Sequence, residues 1–216
     1  MAGPTLSTHV GPVYNGDGVG AFDKRLDSHM ATVVTEAGGK YKEACKRGNV
    51  YSATTAATGT APGTALGTTA AFTLYNPAGS GKNLIVQKAG LGLISGTMGG
   101  GTLWITGSAV GDGAPSGGTA ITPRNRSVGS PNTAVGQAFT GATVATTAAK
   151  MIDILATITE EVVATTAGPT EVTEKDIDGE IVIQPGFYIC FSATAAAGSS
   201  PLMVFKATWE EEGITS

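Results

Sequence analysis

The residues from Asn76 to Asn83 come nearest, in this chain, to the pattern of a phosphate-binding loop. That loop requires a glycine, four further residues, a Gly-Lys pair and then Ser or Thr, whose hydroxyl binds the metal ion. Here Asn76 replaces the first glycine and Asn83 replaces the hydroxyl residue, and a β-type run follows where a helix would have to begin. The segment is therefore predicted to be a turn between two strands, and no cofactor is expected.

Other reactive residue types lack the partners that their chemistry requires. His9 and His29 lie far apart and have no metal-ligand spacing. Asn15 and Asp17 are two ligand types of a calcium loop, but no Glu follows at the required offset. The Gly-x-Ser-x-Gly pattern of a nucleophilic serine is absent. We therefore predict no catalytic residue, no metal site and no enzymatic activity.

Acidic residues are dense in the stretch 160–179, which is predicted to be one long connection between strands. A hydrolase on a β scaffold would need carboxylates that converge on a pocket, but a run of charge is more often a solvated surface. The acids concerned are Glu160, Glu161, Glu171, Glu174, Asp176 and Asp178, with Glu180 directly after the stretch. Glu210–Glu212 are likewise predicted to form a solvated end that keeps an edge strand from pairing onward.

Composition limits the classes of protein that this chain can belong to. Charged residues make up 14% and hydrophobic residues 41% of the 216 residues, which favours a core of small residues with a few aromatic anchors. A net charge of −4 argues against nucleic acid as a partner. No apolar stretch approaches the ~18 residues of a spanning helix, so no membrane is expected. Without a visible secretory signal, synthesis in the cytoplasm is expected, with Cys45 and Cys190 as free thiols.

The chain is predicted to comprise an N-terminal arm and docking segment at 1–48 and a β-domain at 49–216. Residues 1–20 show many turn residues and no period, which favours an irregular arm that orders on a neighbour. Met30–Thr35 fits a short strand or a helix equally well. Lys40–Gly48 fits a short helix with a basic last turn and a glycine stop.

From residue 49 onward, short β-type runs alternate with Gly and Pro turns. The clearest runs are Val50–Ala53, Ala71–Tyr75, Asn83–Lys88, Thr102–Thr106, Met151–Ile158, Glu180–Gln184, Phe187–Thr194 and Leu202–Trp209. Met151–Ile158 is long enough for two turns of helix, but its β-branched content favours a strand. Many short strands with long connections at 107–118 and 160–179 predict an all-β antiparallel sandwich of the jelly-roll type.

Several turn and strand segments resemble those of structural proteins of tailed bacteriophages. The segments are Gly39–Tyr41, Arg47–Tyr51, Thr73–Leu84, Gly179–Ile183 with Pro185–Gly186, and Ala207–Glu211, within residues 39–212. The resemblance implies a jelly-roll subunit on the virion, such as a head decoration or cement protein. It supplies no catalytic residue to carry over.

This resemblance leads us to expect a structural virion protein that binds and stabilises neighbouring capsid subunits. The expected partners are the major capsid protein or other virion subunits, and the chain itself is expected to form a homotrimer. Small uncharged side chains suit such contacts because they allow close backbone approach at little entropic cost. The residues expected at the interface are Val10, Val13, Tyr14, Phe22, Lys40, Tyr41, Lys42, Lys46 and Arg47.

The alternative hypothesis is a receptor- or glycan-binding module of a tail or fibre, because jelly rolls also serve as lectins. That hypothesis predicts exposed aromatic side chains beside polar loop residues. The predicted loops Gly111–Pro115 and Ser127–Asn132 contain no aromatic residue, which favours the structural role.

Overall fold

The computed structural model describes residues 40–147, 150–158, 161–162, 173–195 and 198–214. Every described element lies in the compact unit Tyr41–Ser216. In chain order these elements are helix α1 (Lys42–Lys46) and strands β1 (Val50–Thr54), β2 (Phe72–Tyr75), β3 (Lys82–Ser95), β4 (Thr97–Met98), β5 (Gly101–Gly107), β6 (Thr119–Ile121), β7 (Arg124–Asn125), β8 (Gln137–Thr140), β9 (Met151–Ile158), β10 (Glu161–Val162), β11 (Thr173–Ile183), β12 (Tyr188–Ala195) and β13 (Leu202–Gly213). The arm predicted at 1–20 and the element predicted at Met30–Thr35 lie outside the described residues.

Two antiparallel sheets face each other, which confirms the predicted β-sandwich. Sheet one has the strand order β11-β3-β13-β1-β7, sheet two has the order β6-β8-β2-β12-β5-β9, and β4 and β10 form a separate two-stranded ribbon. The pairing is nested, with β1 against β13, β2 against β12, β3 against β11 and β5 against β9. Because the first strand pairs with the last and the chain crosses repeatedly between the sheets, the topology is that of a jelly roll.

Aromatic side chains occupy the core between the sheets. Phe72 and Phe191 of sheet two stack with ring centroids 5.0 Å apart, and Phe205 of sheet one lies 6.2 Å from Phe191. Tyr51 and Trp209 pack together on neighbouring strands of sheet one, with centroids 6.2 Å apart. All five side chains are at most 2% exposed. They face inward because successive residues of a strand alternate between its two faces.

A loop covers the outer face of sheet two, which is the face that points away from the core. Cys190 and Ser192 of β12 point away from the core between the sheets, yet they are only 0% and 4% exposed. The cover is the loop after β8, whose Val144 N–H donates to the carbonyl of Thr68 over 2.8 Å. The Val144 side chain also joins Cys190 and Tyr188 in a second apolar cluster. Both faces of β12 are therefore buried.

Helix α1 lies across the outer face of sheet one, which confirms the short helix predicted there. Before the helix, the Tyr41 hydroxyl donates to Asp178 on the edge strand β11. After the helix, the Gly48 carbonyl accepts from the side-chain amide of Asn125, in β7 at the opposite edge, over 2.8 Å. The segment thus spans the sheet, and the outward-facing Val50 of β1 is only 1% exposed.

Gly48 is required at the end of α1. Its φ of +70° lies in the left-handed region that other residues rarely adopt. A Cβ atom there would also lie 2.6 Å from the Ser130 hydroxyl oxygen and 2.8 Å from the Asn132 amide nitrogen. The glycine stop read from the sequence therefore matches the structure.

The prediction that Glu210–Glu212 form a solvated end is wrong for Glu211. Strand β13 continues past this residue in the middle of sheet one, and Glu211 is only 2% exposed. Its Oε1 accepts from the backbone N–H groups of Val135 and Gly136 over 2.8 and 2.9 Å. Its Oε2 pairs with Lys82 Nζ at 3.1 Å. The buried charge is tolerated because both oxygens have charge-assisted partners.

The predicted connection at 160–179 is wrong at 161–162, which form β10, and at 173–179, which belong to β11. Glu174 and Asp176 face outward on this strand and lie 3.0 Å from Lys206 Nζ and 2.9 Å from Lys88 Nζ, respectively. Asp176 and Lys88 lie opposite each other on the paired strands β11 and β3, where opposite charges stabilise the sheet surface. The pair of Glu174 with Lys206 reaches one strand further, to β13. The alternating acids therefore mark one face of a strand and not a loop.

The segment that resembles a phosphate loop is a turn between β2 and β3, as predicted. Asn76 is fully buried, and its side-chain amide donates to the carbonyls of Lys82 and Ile183 over 2.7 and 2.8 Å. These bonds join the two ends of the turn to β11. Asn76 thus holds the turn together by hydrogen bonds at the position where a phosphate loop would have glycine.

Candidate assembly surface

An open groove lies where the β9 edge of sheet two approaches the β11 edge of sheet one. It has a volume of about 420 Å³. Its walls are Gly107–Val110 after β5, Ile152 of β9, Ile181–Gln184 around the end of β11, and Phe187–Ile189 at the start of β12. Because β9 and β11 are each the last strand of their sheet, the groove follows one side of the sandwich.

Apolar side chains are exposed around this groove. Val110 is 91% exposed, Ile152 53% and Val182 48%, and all three line the groove. Met151 and Ile154 lie beside Ile152 on β9 and are 46% and 45% exposed. We call these five residues the apolar edge. They are five of the eight large apolar residues exposed in the described part of the chain, and exposed apolar side chains grouped at one edge of a fold mark a candidate interaction site.

The loop at the rim of the groove is fixed by hydrogen bonds. The Ser108 N–H donates to the Tyr188 carbonyl over 2.9 Å, and the Ser108 hydroxyl accepts from the Tyr188 N–H over 2.9 Å. Asp112 Oδ2 accepts from the Ala109 N–H over 2.8 Å and pairs with Lys150 Nζ at 2.6 Å. The Lys150 ammonium, and after it the Ala109 N–H, hold the pKa of Asp112 below its ordinary value. The rim is therefore a preformed surface.

Two ion pairs internal to the chain flank the groove. One joins Asp112 to Lys150, and the other joins Asp153 of β9 to Lys175 of β11 at 2.6 Å. Charges that are already paired leave little net field to attract a charged partner. The surface is thus complementary to an apolar protein segment of low charge.

A second cleft, of about 370 Å³, lies beside β7 and is lined mainly by Thr122–Asn125 and Ser130–Ala134. The amides that a ligand would use are already engaged. The Asn125 and Asn132 side chains donate to backbone carbonyls at the end of α1 over 2.8 and 3.2 Å. This cleft therefore serves to hold the helix and is a weaker candidate for a binding site.

Titratable groups suited to catalysis are sparse in the part of the chain that the structure describes. Within it, no three His, Cys, Asp or Glu side chains are grouped so that they could hold a metal ion. Cys190 is buried, and burial raises its pKa to about 12, so its thiol stays protonated and is a poor nucleophile. Cys45 is half-buried, and both cysteines are free thiols, as predicted. His9 and His29 lie outside the described residues.

The residues that the sequence assigned to an interface fall into two groups. Val10, Val13, Tyr14 and Phe22 lie outside the described residues. Tyr41, Lys42, Lys46 and Arg47 lie in α1 or beside it, at the outer face of sheet one, and Lys40 precedes them in the chain. The groove walls take no residue from this second group. Their role in an interface stays a prediction.

The basic segment makes contacts within the chain. Lys46 Nζ lies 3.3 Å from Glu43 Oε1, and both side chains are largely exposed. Desolvation, and after it the hydrogen bond to Asp178, raise the pKa of Tyr41 to about 12. Tyr41 thus anchors the start of the segment to β11, while the lysine remains at the surface.

Sequence reasoning identified β9 as a strand but missed the apolar edge. A signal for it was present, because apolar residues in β9 occur at both odd and even positions. Leu155 and Ile158 are buried at 3% and 9% exposure, which leaves Met151, Ile152 and Ile154 without a place in the core. A strand with more apolar residues than one face can bury is a candidate interaction strand. Val110 and Val182 gave no comparable signal, since only the fold brings them to β9.

No family model, no curated protein and no solved structure matches this chain. Among the residues that the structure describes, no helix is long and apolar enough to cross a membrane.

Proposed function

We propose that this chain is a structural virion protein that binds neighbouring protein subunits of a viral shell and stabilises their contacts. The observation that carries the proposal is the apolar edge, which groups five exposed apolar side chains on one side of the jelly roll. Such a group is costly to leave in water, at roughly 25 cal/mol for each Å² of apolar surface, and contact with another protein removes that cost.

The kind of partner follows from the charge at this surface. The ion pairs beside the groove neutralise each other, so the complementary surface is apolar and carries little charge. A neighbouring subunit, whether the major capsid protein or another virion protein, fits this description. The preformed rim loop favours such binding because little conformational entropy is lost when the surface is covered.

The proposal includes self-assembly into a homotrimer. Homo-oligomers adopt closed symmetry when one patch of each copy meets a different patch of the next and the rotation closes the ring. The apolar edge would supply one of the two patches in such a ring. The outer faces of the sheets are less suited to this role, since α1 crosses one and the loop after β8 covers the other.

Co-sedimentation with viral particles from the native source tests the proposed function. We expect the chain to travel with intact particles, and to be lost from them when Ile152 and Val182 are both changed to Glu. Separating heads from tails before sedimentation shows where it binds, and recovery with tails alone would favour the receptor-binding alternative. A chain that never travels with particles would contradict the proposal.

A further inference from the structure

The edge of β9 is closed by side chains of the chain itself. The Ile154 N–H donates to Asp153 Oδ1 over 2.7 Å, and the Ile154 C=O accepts from Lys175 Nζ over 2.8 Å. In an antiparallel pair, a hydrogen-bonded residue exchanges both of these backbone groups with its partner. The two side chains therefore occupy the positions that an incoming strand would use.

The two side chains also hold each other in place. Lys175 Nζ lies 2.6 Å from Asp153 Oδ2, and the lysine and aspartate side chains are 32% and 31% exposed. Since Lys175 belongs to β11 and Asp153 to β9, the contact bridges the edges of both sheets. Charged side chains at an exposed strand edge, lysine above all, are a known means of blocking edge-to-edge pairing.

We propose that the Asp153–Lys175 pair is a latch that prevents β9 from pairing with the β9 strand of a second copy of this chain. Two identical edges related by a two-fold axis run antiparallel, so each copy offers the other a matching edge. The exposed Met151 and Ile152 on β9 would gain cover in the same contact. The latch leaves the apolar edge available to other subunits, and the inference does not depend on the proposed function.

Separate substitutions release the two backbone groups. Asp153→Ala frees the Ile154 N–H, and Lys175→Met frees the C=O while it keeps the length of the side chain. We expect the double variant to self-associate about tenfold or more tightly than the wild type, because each copy gains backbone hydrogen bonds to the other. Each single variant should self-associate less tightly than the double variant. Sedimentation velocity over a range of concentrations measures these shifts.

A matched control separates the latch from a general loss of charge. Lys206 and Glu174 form an ion pair of similar exposure, 32% and 38%, and the Lys206 ammonium is bonded to a carboxylate and not to the β9 backbone. The variant with Lys206→Met and Glu174→Gln should keep the mass of the wild type. If this control self-associates as tightly as the double variant, the proposal that the Asp153–Lys175 pair blocks β9 pairing is overturned.

Hydrogen exchange locates the contact. In the double variant, exchange of the Ile154 amide should slow as the protein concentration rises, and it should slow more steeply than in the wild type, where this N–H stays bonded to Asp153 Oδ1. A folded double variant with the mass of the wild type at every concentration would overturn the proposal. If the double variant does not fold, Lys175→Met is compared with Lys206→Met, and equal association of these two would overturn it.

Discussion

Glu211 illustrates how a single buried charge organises its neighbourhood. Its carboxylate accepts from the N–H groups of Val135 and Gly136 and pairs with Lys82, so one residue of β13 fixes the loop before β8 and the start of β3. The sequence shows only three consecutive glutamates. Which of the three faces inward depends on the register of β13 between β3 and β1, and that register arises from pairings distant in the chain.

We expect Glu211→Gln to lower the free energy of unfolding by about 2 kcal/mol, because it removes the negative charge from hydrogen bonds within a buried site. Urea unfolding monitored by tryptophan fluorescence measures the change. The neighbouring Glu212 is exposed, and Glu212→Gln should stay within about 0.5 kcal/mol of the wild type. Equal effects of the two substitutions would contradict the assigned role.

Alkaline pH should destabilise the fold. In the unfolded chain Cys190 and Tyr41 release their protons near pKa 9.0 and 10.0, whereas in the folded protein both pKa values are about 12. Between these values the folded state binds more protons than the unfolded state, so stability falls as pH rises. The Cys190 contribution is at most about 1.4 kcal/mol per pH unit.

Unfolding by urea at a series of pH values from 8 to about 11 checks this prediction. The variant Cys190→Ala should lose stability less steeply with pH than the wild type, even if its stability at pH 8 is lower. A pH slope unchanged by the substitution would show that the Cys190 thiol does not keep its proton in the fold.

At the scale of elements, α1 shows how a short helix is held. A five-residue helix is too short to be stable alone, so it depends on contacts at its two ends. Tyr41 supplies one contact through Asp178, and Asn125 supplies the other through the Gly48 carbonyl. The helix itself could be predicted from the basic last turn and the glycine stop. Its anchors could not, because they come from β11 and β7.

Tyr41→Phe should lower the free energy of unfolding by about 1 kcal/mol and release the start of α1. The Cys45 amide, which donates to the Tyr41 carbonyl over 2.9 Å, should then exchange faster with solvent. Tyr75→Phe is a suitable control, since Tyr75 is half-buried on sheet two. Unchanged exchange at Cys45 would contradict the anchoring role of the Tyr41 hydroxyl.

The strands differ in how well the sequence predicts them. Strands β9, β12 and β13 are rich in β-branched or aromatic residues, and their presence could be read from the sequence. The first half of β11 could not, because the acids that suggest a loop are matched by Lys88 and Lys206 on other strands. Tertiary charge pairing thus overrides a local preference at this point.

At the scale of the whole molecule, the jelly-roll class follows from many short strands with long connections, and the nested pairing of the sheets confirms it. The apolar edge, unlike the fold class, could not be predicted from the sequence. It joins residues from a loop, β9 and β11 that lie up to 72 positions apart, from Val110 to Val182. Local patterning cannot show such a surface, because it exists only when two sheet edges come together.

The mass of the purified chain in solution, measured by sedimentation velocity over a wide concentration range, tests most directly whether the apolar edge is an assembly surface. We predict an oligomer, with three chains of 21.5 kDa as the proposed state, for the wild type and for Val128→Glu. Val128 is 98% exposed and lies outside the groove lining, so it controls for added charge. The variant carrying Ile152→Glu and Val182→Glu should be a folded monomer. A wild type that remains monomeric at high concentration would contradict the claim that the apolar edge is an assembly surface. Equal masses for the wild type, the Val128→Glu variant and this double variant would contradict it as well.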